Sequence, residues 1–425
     1  MKKYPPFFQP EHSIDSERDG TATFLFSGGG TGGHLFPGFA VAKDLQRQFS
    51  QANIVFAGTG QGWEREIVAQ QGYAYLSLRS KPFPKRITST PGFLHENLQG
   101  WITARQWLKK HRVVAGIGLG GYSSAPAMYA MIHRGIPTVV LEQNLIPGKT
   151  TRWFANQVQC IFTAFEQTES LLPQQSIIQY TGNPTRSESS VPNRTSAYLE
   201  KQLSLTTDSE DLGDKLFSKL DPGRNILLVT GGSQGARGLN NTVLNTLKHA
   251  PELSEQWQII HQTGHTDYQT VRRTYQSLPY TSWIAPFIPC IHELFPKCDL
   301  AVSRAGGTTL AELALAGLPA LLIPYPHASQ DHQLENAGFY HRNGAALVVS
   351  EKRADQQSTD NRCPPLFELL NNQEKRIVMG NKMRELARPK AAMEIVHKLL
   401  SLSGVAPDTI TNQKRVLGTS PLTAY

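Results

Sequence analysis

A glycine-rich segment near the N-terminus, FLFSGGGTGGHLFPG at residues 24–38, carries the first residues whose spacing could support chemistry. Its glycines allow several backbone N–H groups to converge where a helix begins, and the helix dipole there favours a diphosphate. His34 follows at the mouth of the turn, where an imidazole could act as a general base or donate to a phosphate. A histidine that only caps the turn fits the spacing equally well, so both interpretations stay open.

The same segment contains the glycine pattern of a dinucleotide-binding turn at Gly28, Gly30 and Gly33. That fingerprint also requires an acidic residue near the end of the second strand to hold the ribose hydroxyls. Here the second strand ends in the residues FAGTG at 56–60, without a carboxylate. The sequence therefore disfavours an NAD enzyme but still predicts a site for a diphosphate.

A second glycine-rich turn, TGGSQGARG at residues 230–238, again joins a predicted strand to a predicted helix. Ser233 and the neighbouring amides could bind phosphate there. Further on, Glu312 follows the turn GGTT at residues 306–309, where a carboxylate could bind the hydroxyls of a ribose. A glutamate near a helix N-terminus is also favourable without any ligand.

Polar and aromatic residues after two further predicted strands add candidates. Gln333 and Asn336 begin a helix and are plausible partners for sugar hydroxyls. Phe287 and Ile288 end a strand, where they could cover a base ring, although such residues are also typical of a core.

Alternation of short apolar runs with amphipathic segments predicts the elements that position these residues. Parallel strands that alternate with helices form sheets covered on both faces, with ligands at the carboxyl ends of the strands. We therefore expect an α/β protein with two Rossmann-like domains facing each other across a cleft. The predicted strands are 23–26, 53–58, 113–118, 138–142, 159–164, 225–230, 258–263, 299–303 and 320–324. The predicted divisions are an N-terminal extension at 1–22, a first domain at 23–186, a linker at 187–224, a second domain at 225–405 and a tail at 406–425.

Composition narrows the class of partner. The 425-residue chain has a formal net charge of +8, which permits a nucleotide, a diphosphate or an anionic membrane as a partner. No nucleic-acid-binding motif is present, and the four cysteines form no CxxC pair. The first 20 residues lack the apolar core of a signal peptide, and no apolar run reaches the roughly 18 residues that span a bilayer. We expect a cytoplasmic protein whose membrane contact is peripheral.

Residues 79–112 interleave basic and aromatic side chains in a way that is typical of membrane-surface segments. Two tryptophans of this segment, Trp101 and Trp107, could equally be core residues of a helix with solvated lysines. The remaining members are Lys81, Phe83, Lys85, Arg86, Phe93, Leu94, Arg105, Lys109, Lys110 and Arg112.

Nine segments in order resemble glycosyltransferase family 28 enzymes of the MurG type, over residues 23–349. They are GGGTGGHLFPGFA, GIGLGGYSSAPA, LEQNLIPGKTTR, TGNPTR, GGSQGARGLNN, HQTG, PFI, SRAGGTTLAELALAGLPALLIPYP and DHQLENA. The resemblance implies a GT-B fold and transfer of N-acetylglucosamine (GlcNAc) from UDP-GlcNAc, with inversion, to the 4-hydroxyl of an undecaprenyl-diphospho-muramyl-pentapeptide. It also implies that no cofactor and no protein-bound metal is required, and that anionic inner-leaflet lipids and other cell-wall synthesis proteins are partners. The corresponding location is the cytoplasmic side of the plasma membrane.

The resemblance also implies roles for individual positions. His34 is the first candidate for the general base and Glu142 the second. Binding of UDP-GlcNAc is expected at Thr31, Gly32, Gly33, Asn144, Arg186, Ser233, Ile288, Gly307, Thr308, Thr309, Leu310, Ala311, Glu312 and Gln333. Among these, Ser233 and Arg186 would contact phosphate oxygens, Ile288 the uracil through its backbone, Glu312 the ribose, and Gln333 and Asn144 the sugar. Binding of the acceptor diphosphate is expected at Gly29, Gly30, Gly120, Gly121 and Tyr122.

Two alternative functions stay open on the sequence. One is another GT-B enzyme that uses a UDP-sugar, such as a glycolipid transferase, against which the LEQN and GNPTR segments argue. The other is a scaffold of the cell-wall machinery without catalytic activity, against which the intact His34, Ser233, Glu312 and Gln333 argue.

Overall fold

The structure, a computed structural model, describes residues 21–84, 89–185, 220–232, 234–288, 291–326, 331–351 and 362–406. Two predicted donor-binding residues, Arg186 and Ser233, lie outside the described residues. The same holds for Lys85 and Arg86 of the basic segment.

The first domain is a seven-stranded parallel sheet with the strand order β3-β2-β1-β4-β5-β6-β7. Its five central strands are rich in Val, Ile, Phe and Ala and are largely buried, as expected for a parallel sheet covered by helices, whereas the two edge strands are more exposed. The strands are β1 (Thr23–Ser27), β2 (Asn53–Gly58), β3 (Ala74–Ser77), β4 (Val113–Gly118), β5 (Thr138–Glu142), β6 (Cys160–Thr163) and β7 (Ile178–Tyr180). The helices are α1 (Gly32–Gln48), α2 (Gly62–Gln70), α3 (Thr90–Lys110), α4 (Ala125–Ile132) and α5 (Lys149–Phe154).

The second domain repeats this plan with a six-stranded parallel sheet in the order β10-β9-β8-β11-β12-β13. Its strands are β8 (Asn225–Thr230), β9 (Trp257–Gln262), β10 (Ser282–Ala285), β11 (Leu300–Ser303), β12 (Ala320–Leu322) and β13 (Ala346–Val348). The helices that follow in the chain are α6 (Arg237–Lys248), α7 (Tyr268–Gln276), α8 (Gly307–Ala316), α9 (His332–Arg342), α10 (Pro364–Asn371), α11 (Gln373–Glu385) and α12 (Ala391–Ser403). The predicted α/β fold with two Rossmann-like domains, the GT-B arrangement, is confirmed.

The last described helix, α12, returns to the first domain, although residues 225–405 are predicted to form the second. Its apolar residues Ile395, Val396 and Leu399 are buried in the same cluster as Phe24 and Leu45. The apolar stripe of α12 therefore completes the core of the first domain and ties the two domains together. No helix within the described ranges is both long enough and apolar enough to cross a membrane.

Candidate active site between the two domains

The loop after β1 presents the N-terminus of α1 to the cleft. Gly30 has a φ of +83°, a conformation that residues with a side chain rarely adopt, and Thr31 is the N-cap of α1. Gly32 and Gly33 are the first two residues of the helix, so their N–H groups have no acceptor within it. Their amides and the helix dipole make this end of α1 suited to an anion.

A buried carboxylate lies beneath this loop and changes the expected role of two of its glycines. Glu64, at the start of α2, accepts hydrogen bonds from Gly30 N at 2.6 Å, Thr59 Oγ1 at 2.9 Å and Tyr75 OH at 2.5 Å. A methyl group added to Gly29 would lie 2.7 Å from Glu64 Oε1. Because the Gly30 amide is already used and a carboxylate faces Gly29, this geometry does not support binding of the acceptor diphosphate by these two residues. Nothing in the sequence marks Glu64, since one acidic residue in an amphipathic helix normally indicates a solvated face.

His34 lies in the first turn of α1, against the loop after β4. Its Nδ1 is 3.1 Å from the hydroxyl of Thr31. A methyl group added to Gly120 would lie 3.4 Å from His34 Nε2, so this nitrogen borders the space over Gly120. Desolvation lowers the pKa of His34 to about 4, a hydrogen bond with the Gly29 backbone opposes this shift, and nearby His332 adds to it. The imidazole is therefore neutral at physiological pH, as a general base must be.

The loop after β4 contains the remaining residues predicted for the acceptor diphosphate. Gly120 and Gly121 have φ values of +91° and +72°, which explains the pair of glycines. Tyr122 is half-buried and begins a short 3-10 turn directly after them. The structure thus brings Gly120 and Gly121 next to His34, and Tyr122 follows them in the chain.

Glu142, the second candidate for the base, is buried at the end of β5 and occupied by donors from its own loop. It accepts hydrogen bonds from Thr151 Oγ1 at 2.6 Å, Gly148 N at 3.0 Å and Asn144 N at 3.1 Å. Burial raises the pKa of Glu142, and these donors oppose the shift. Such a carboxylate is suited to holding the LEQN loop in place, and this geometry favours a positioning role over proton transfer.

The N-terminus of α8 faces that of α1 across the cleft. Thr308 Oγ1 donates to the carbonyl oxygen of Gly33 at 2.9 Å and accepts from Asn183 Nδ2 at 3.2 Å. A methyl group on Gly307 would lie 2.0 Å from the carbonyl oxygen of Gln143, so only glycine permits this approach. Two helix N-termini, with their partial positive charges, therefore meet at one point of the cleft.

The other residues predicted on α8 divide between the cleft and the interior. Glu312 is buried and lies one turn after Thr308, on the same face of the helix. Thr309 is half-buried. Leu310, in contrast, is a core residue, and Ala311 borders a small cavity beside Tyr340, so neither side chain is placed to contact a donor in the cleft.

Asn144 and Asn336 connect the two domains directly. Asn336 Nδ2 donates to Asn144 Oδ1 at 3.1 Å, and its Oδ1 accepts from Leu145 N at 2.9 Å. Gln333, three residues earlier on α9, accepts from Tyr325 N at 2.9 Å and so holds the loop after β12. Asn144, predicted as a sugar ligand, is therefore held by the second domain as well as by Glu142.

The predicted uracil contact at Ile288 is fixed by a residue without a predicted role. Gln262 Oε1 accepts from Ile288 N at 2.8 Å, while Gln262 Nε2 donates to Gly232 O at 3.0 Å. Since its N–H is occupied, the carbonyl group is the backbone group of Ile288 left for a base. The only signal for Gln262 in the sequence is its position in the HQTG segment.

An exposed apolar surface lies on the first domain. Phe83 is 53% exposed and its ring centroid is 5.0 Å from that of Phe93 and 6.1 Å from that of Trp153. Leu94, Leu98 and the 61% exposed Trp153 belong to the same surface, which together with Phe83 and Phe93 forms the aromatic patch. Trp107, in contrast, is buried and belongs to the core, as the alternative interpretation has it.

Comparisons with known proteins agree with this geometry. The N-terminal domain model of glycosyltransferase family 28 matches residues 24–163, and its C-terminal domain model matches residues 226–392. The chain belongs to glycosyltransferase family 28.

Relatives that are similar over most of the chain share one description. Proteins of Geobacter sulfurreducens and Myxococcus xanthus are each 34% identical, over 89% of this chain and over 98% and 92% of their own lengths. Both are described as UDP-N-acetylglucosamine–N-acetylmuramyl-(pentapeptide) pyrophosphoryl-undecaprenol N-acetylglucosamine transferases. Among solved structures, MurG of Acinetobacter baumannii is 26% identical with a TM-score of 0.64, covering 89% of this chain and 99% of its own.

Proposed function

We propose that this protein transfers GlcNAc from UDP-GlcNAc to the 4-hydroxyl of the muramyl sugar in undecaprenyl-diphospho-muramyl-pentapeptide. The structural observation that carries the proposal is the meeting of the α1 and α8 N-termini beside a neutral imidazole, at Gly33, Thr308 and His34. The two relatives named above are described as enzymes of this reaction.

The reaction is a single in-line displacement with inversion at the anomeric carbon. The bond from the acceptor 4-oxygen to C1 of GlcNAc forms while the bond from C1 to the β-phosphate oxygen of UDP breaks. His34 takes the proton of the 4-hydroxyl at Nε2, with Nδ1–H directed to Thr31 Oγ1. The negative charge that UDP gains is stabilised by the amides at the starts of α1 and α8, and by the predicted phosphate ligands Arg186 and Ser233.

The donor lies on the second domain in this proposal. Glu312 binds the ribose hydroxyls, the carbonyl group of Ile288 binds uracil, and Gln333 and Asn144 bind the sugar. The contacts of Gln262 and Glu142 support it, because they fix the main chain of the two loops that carry Ile288 and Asn144.

The decisive experiment measures transfer of radiolabelled GlcNAc from UDP-GlcNAc to a short-chain lipid diphospho-muramyl-pentapeptide, with UDP-glucose as the control donor. Transfer from UDP-GlcNAc alone is the expected result. UDP-GlcNAc binding without transfer would favour the scaffold or a different acceptor, and the absence of binding would contradict the donor site.

The aromatic patch is part of the proposal, as the surface that contacts anionic lipids. Exposed aromatic rings favour the membrane interface, and the exposed Lys81 and Arg152 neighbour Phe83 and Trp153 in the sequence. The test is flotation with anionic and with zwitterionic vesicles, comparing wild type with a Phe83→Ser/Trp153→Ser variant. Ile377→Ser/Val378→Ser, which changes two equally exposed apolar residues on α11, is the matched control. Equal flotation of all three proteins would exclude this surface.

A further inference from the structure

Three buried glutamines in the described ranges share the hydrogen bonds of their amide nitrogen and differ in those of their amide oxygen. Gln143, Gln258 and Gln262 are each at most 3% exposed. In each, Nε2 donates to two oxygens, which for Gln143 are the carbonyl oxygens of Leu119 at 2.9 Å and Leu141 at 3.2 Å.

The acceptor atom separates Gln143 from the other two. Oε1 of Gln258 accepts from Asp221 N at 2.9 Å, and Oε1 of Gln262 accepts from Ile288 N at 2.8 Å. Oε1 of Gln143 is buried without a hydrogen-bond partner. Rotating its amide by 180° would place an oxygen against two carbonyl oxygens, so the two Nε2 bonds fix Oε1 in its position. A buried oxygen without a donor is unfavourable, and a ligand that supplies the donor removes that penalty.

This oxygen borders the same space as the proposed base. A methyl group on Gly120 would lie 3.3 Å from Gln143 Oε1 and 3.4 Å from His34 Nε2. A side chain at position 120 would press against both groups, and the φ of +91° reserves the position for glycine. The fixed acceptor oxygen and the imidazole nitrogen are thus placed to contact neighbouring groups of one bound sugar.

We propose that Gln143 binds the acceptor sugar, through a hydrogen bond that Oε1 accepts from its 6-hydroxyl. This inference rests on the proposed function, in which His34 Nε2 takes the proton of the 4-hydroxyl. On a muramyl ring the 3-oxygen is an ether and cannot donate, so the 6-hydroxyl is the O–H group beside the nucleophile. Gln143 would thereby position the 4-hydroxyl, which is the nucleophile, next to Nε2 of His34, which is the base.

The test compares the short-chain lipid diphospho-muramyl-pentapeptide with its 6-deoxy analogue, using wild type, Gln143→Met and Gln258→Met. Gln258 has the same burial and the same Nε2 pattern but lies near the opposite end of β9 from the cleft, so it is the matched control. In wild type and in Gln258→Met, the 6-deoxy acceptor should lower kcat/KM about tenfold. Gln143→Met should lower kcat/KM for the natural acceptor about tenfold and lose nothing further with the analogue. Its Kd for UDP-GlcNAc should equal that of wild type.

Three outcomes would overturn the inference. The first is an equal kcat/KM of the wild type for both acceptors. This outcome requires no variant, so it is decisive even if Gln143→Met does not fold. If the 6-deoxy acceptor lowers kcat/KM of Gln143→Met by the same factor as in wild type, the two losses are independent and Oε1 does not contact the 6-hydroxyl. A weaker Kd for UDP-GlcNAc, with an unchanged response to the analogue, would assign Gln143 to a hydroxyl of the donor sugar instead. Absence of transfer to either acceptor by wild type would be a failure of the proposed function itself.

Discussion

The hydroxyl of Thr308 in the second domain supplies the hydrogen bond that the carbonyl group of Gly33 cannot obtain within its own helix. In α1 the carbonyl of residue 33 would accept from the amide of residue 37, but Pro37 has no N–H group. Thr308 Oγ1 instead approaches Gly33 O to 2.9 Å. The proline of the GGHLFPG segment thus leaves a free carbonyl acceptor in the first turn of α1, on the side that faces α8. The contact between the two domains therefore lies where the diphosphate is expected.

Replacing His34 with Gln should lower turnover far more than donor affinity. An amide keeps a hydrogen bond to Thr31 but takes no proton, so kcat should fall about 10²- to 10⁴-fold, the range typical of general base catalysis. The check is kcat from the transfer assay beside the Kd for UDP-GlcNAc from calorimetry. Equal losses in both would remove His34 from the role of base.

The acid limit of activity should lie well below the ordinary histidine range. Because the pKa of His34 is lowered to about 4 from 6.5, the neutral base is present above about pH 4 and is lost as the pH falls through that value. The logarithm of kcat/KM for the acceptor should therefore be flat down to about pH 5. Protonation in the unfolded chain should also weaken folding as the pH falls from 6.5 to about 4.

His332 provides the control for this pH profile, since it contributes to the lowered pKa of His34. In His332→Gln the acid limb should move to higher pH. An acid limb near pH 6.5 in wild type would show that the group being titrated is a histidine in a different environment.

Glu142 should prove to be a positioning residue. In Glu142→Gln, an NH2 group replaces one of the two carboxylate oxygens. Depending on the orientation of the amide, this group faces either the donors Gly148 N and Thr151 Oγ1 or the donor Asn144 N, and it cannot accept their hydrogen bonds. Loss of these bonds should lower the free energy of unfolding by about 1–3 kcal/mol and weaken UDP-GlcNAc binding through Asn144. The acid limb of kcat/KM should keep its pH, and its disappearance would identify Glu142 as the base.

Glu312→Ala should weaken UDP-GlcNAc binding without a comparable change in kcat at saturating donor. Loss of hydrogen bonds from a ribose to a carboxylate should raise the Kd roughly ten- to a hundredfold. Glu385→Ala, at the exposed end of α11 with Lys382 as its partner, is the control for removal of a negative charge. An unchanged Kd in Glu312→Ala would contradict the ribose assignment.

The elements that strong local signals define could be predicted from the sequence, whereas partners distant along the chain could not. All nine predicted strands are present, because buried parallel strands are continuous apolar runs. Three strands without a predicted counterpart, β3, β7 and β13, have three or four residues each, too few for a periodic pattern. For β10 only a strand ending at Phe287 and Ile288 is predicted, and the observed strand ends earlier, at Ala285.

The same limit explains the site. His34 and the glycines of the α1 turn are visible in sequence because strand, turn and helix are adjacent. Glu64 acquires its role only when the loops after β1 and β2 meet β3. Gln143 does so only when the ends of β4 and β5 meet α1, and an isolated Glu or Gln carries no signal of either arrangement. The location of α12 likewise depends on which core accepts its apolar stripe, which periodicity cannot tell.

The bond between Thr308 and Gly33 can be tested by a double-mutant cycle, because the sequence itself supplies its cause. Thr308→Val keeps the shape of the side chain and leaves Gly33 O without a donor, so the free energy of unfolding should fall by about 1–3 kcal/mol. Pro37→Ala restores an N–H group four residues after Gly33, so the cost of Thr308→Val should shrink in that background. Urea unfolding of the wild type, both single variants and the double variant measures the coupling, with Thr308→Ser as the control that retains the hydroxyl. Additive effects would show that the proline and the threonine act independently, and that the loss of the helical donor does not create the domain contact.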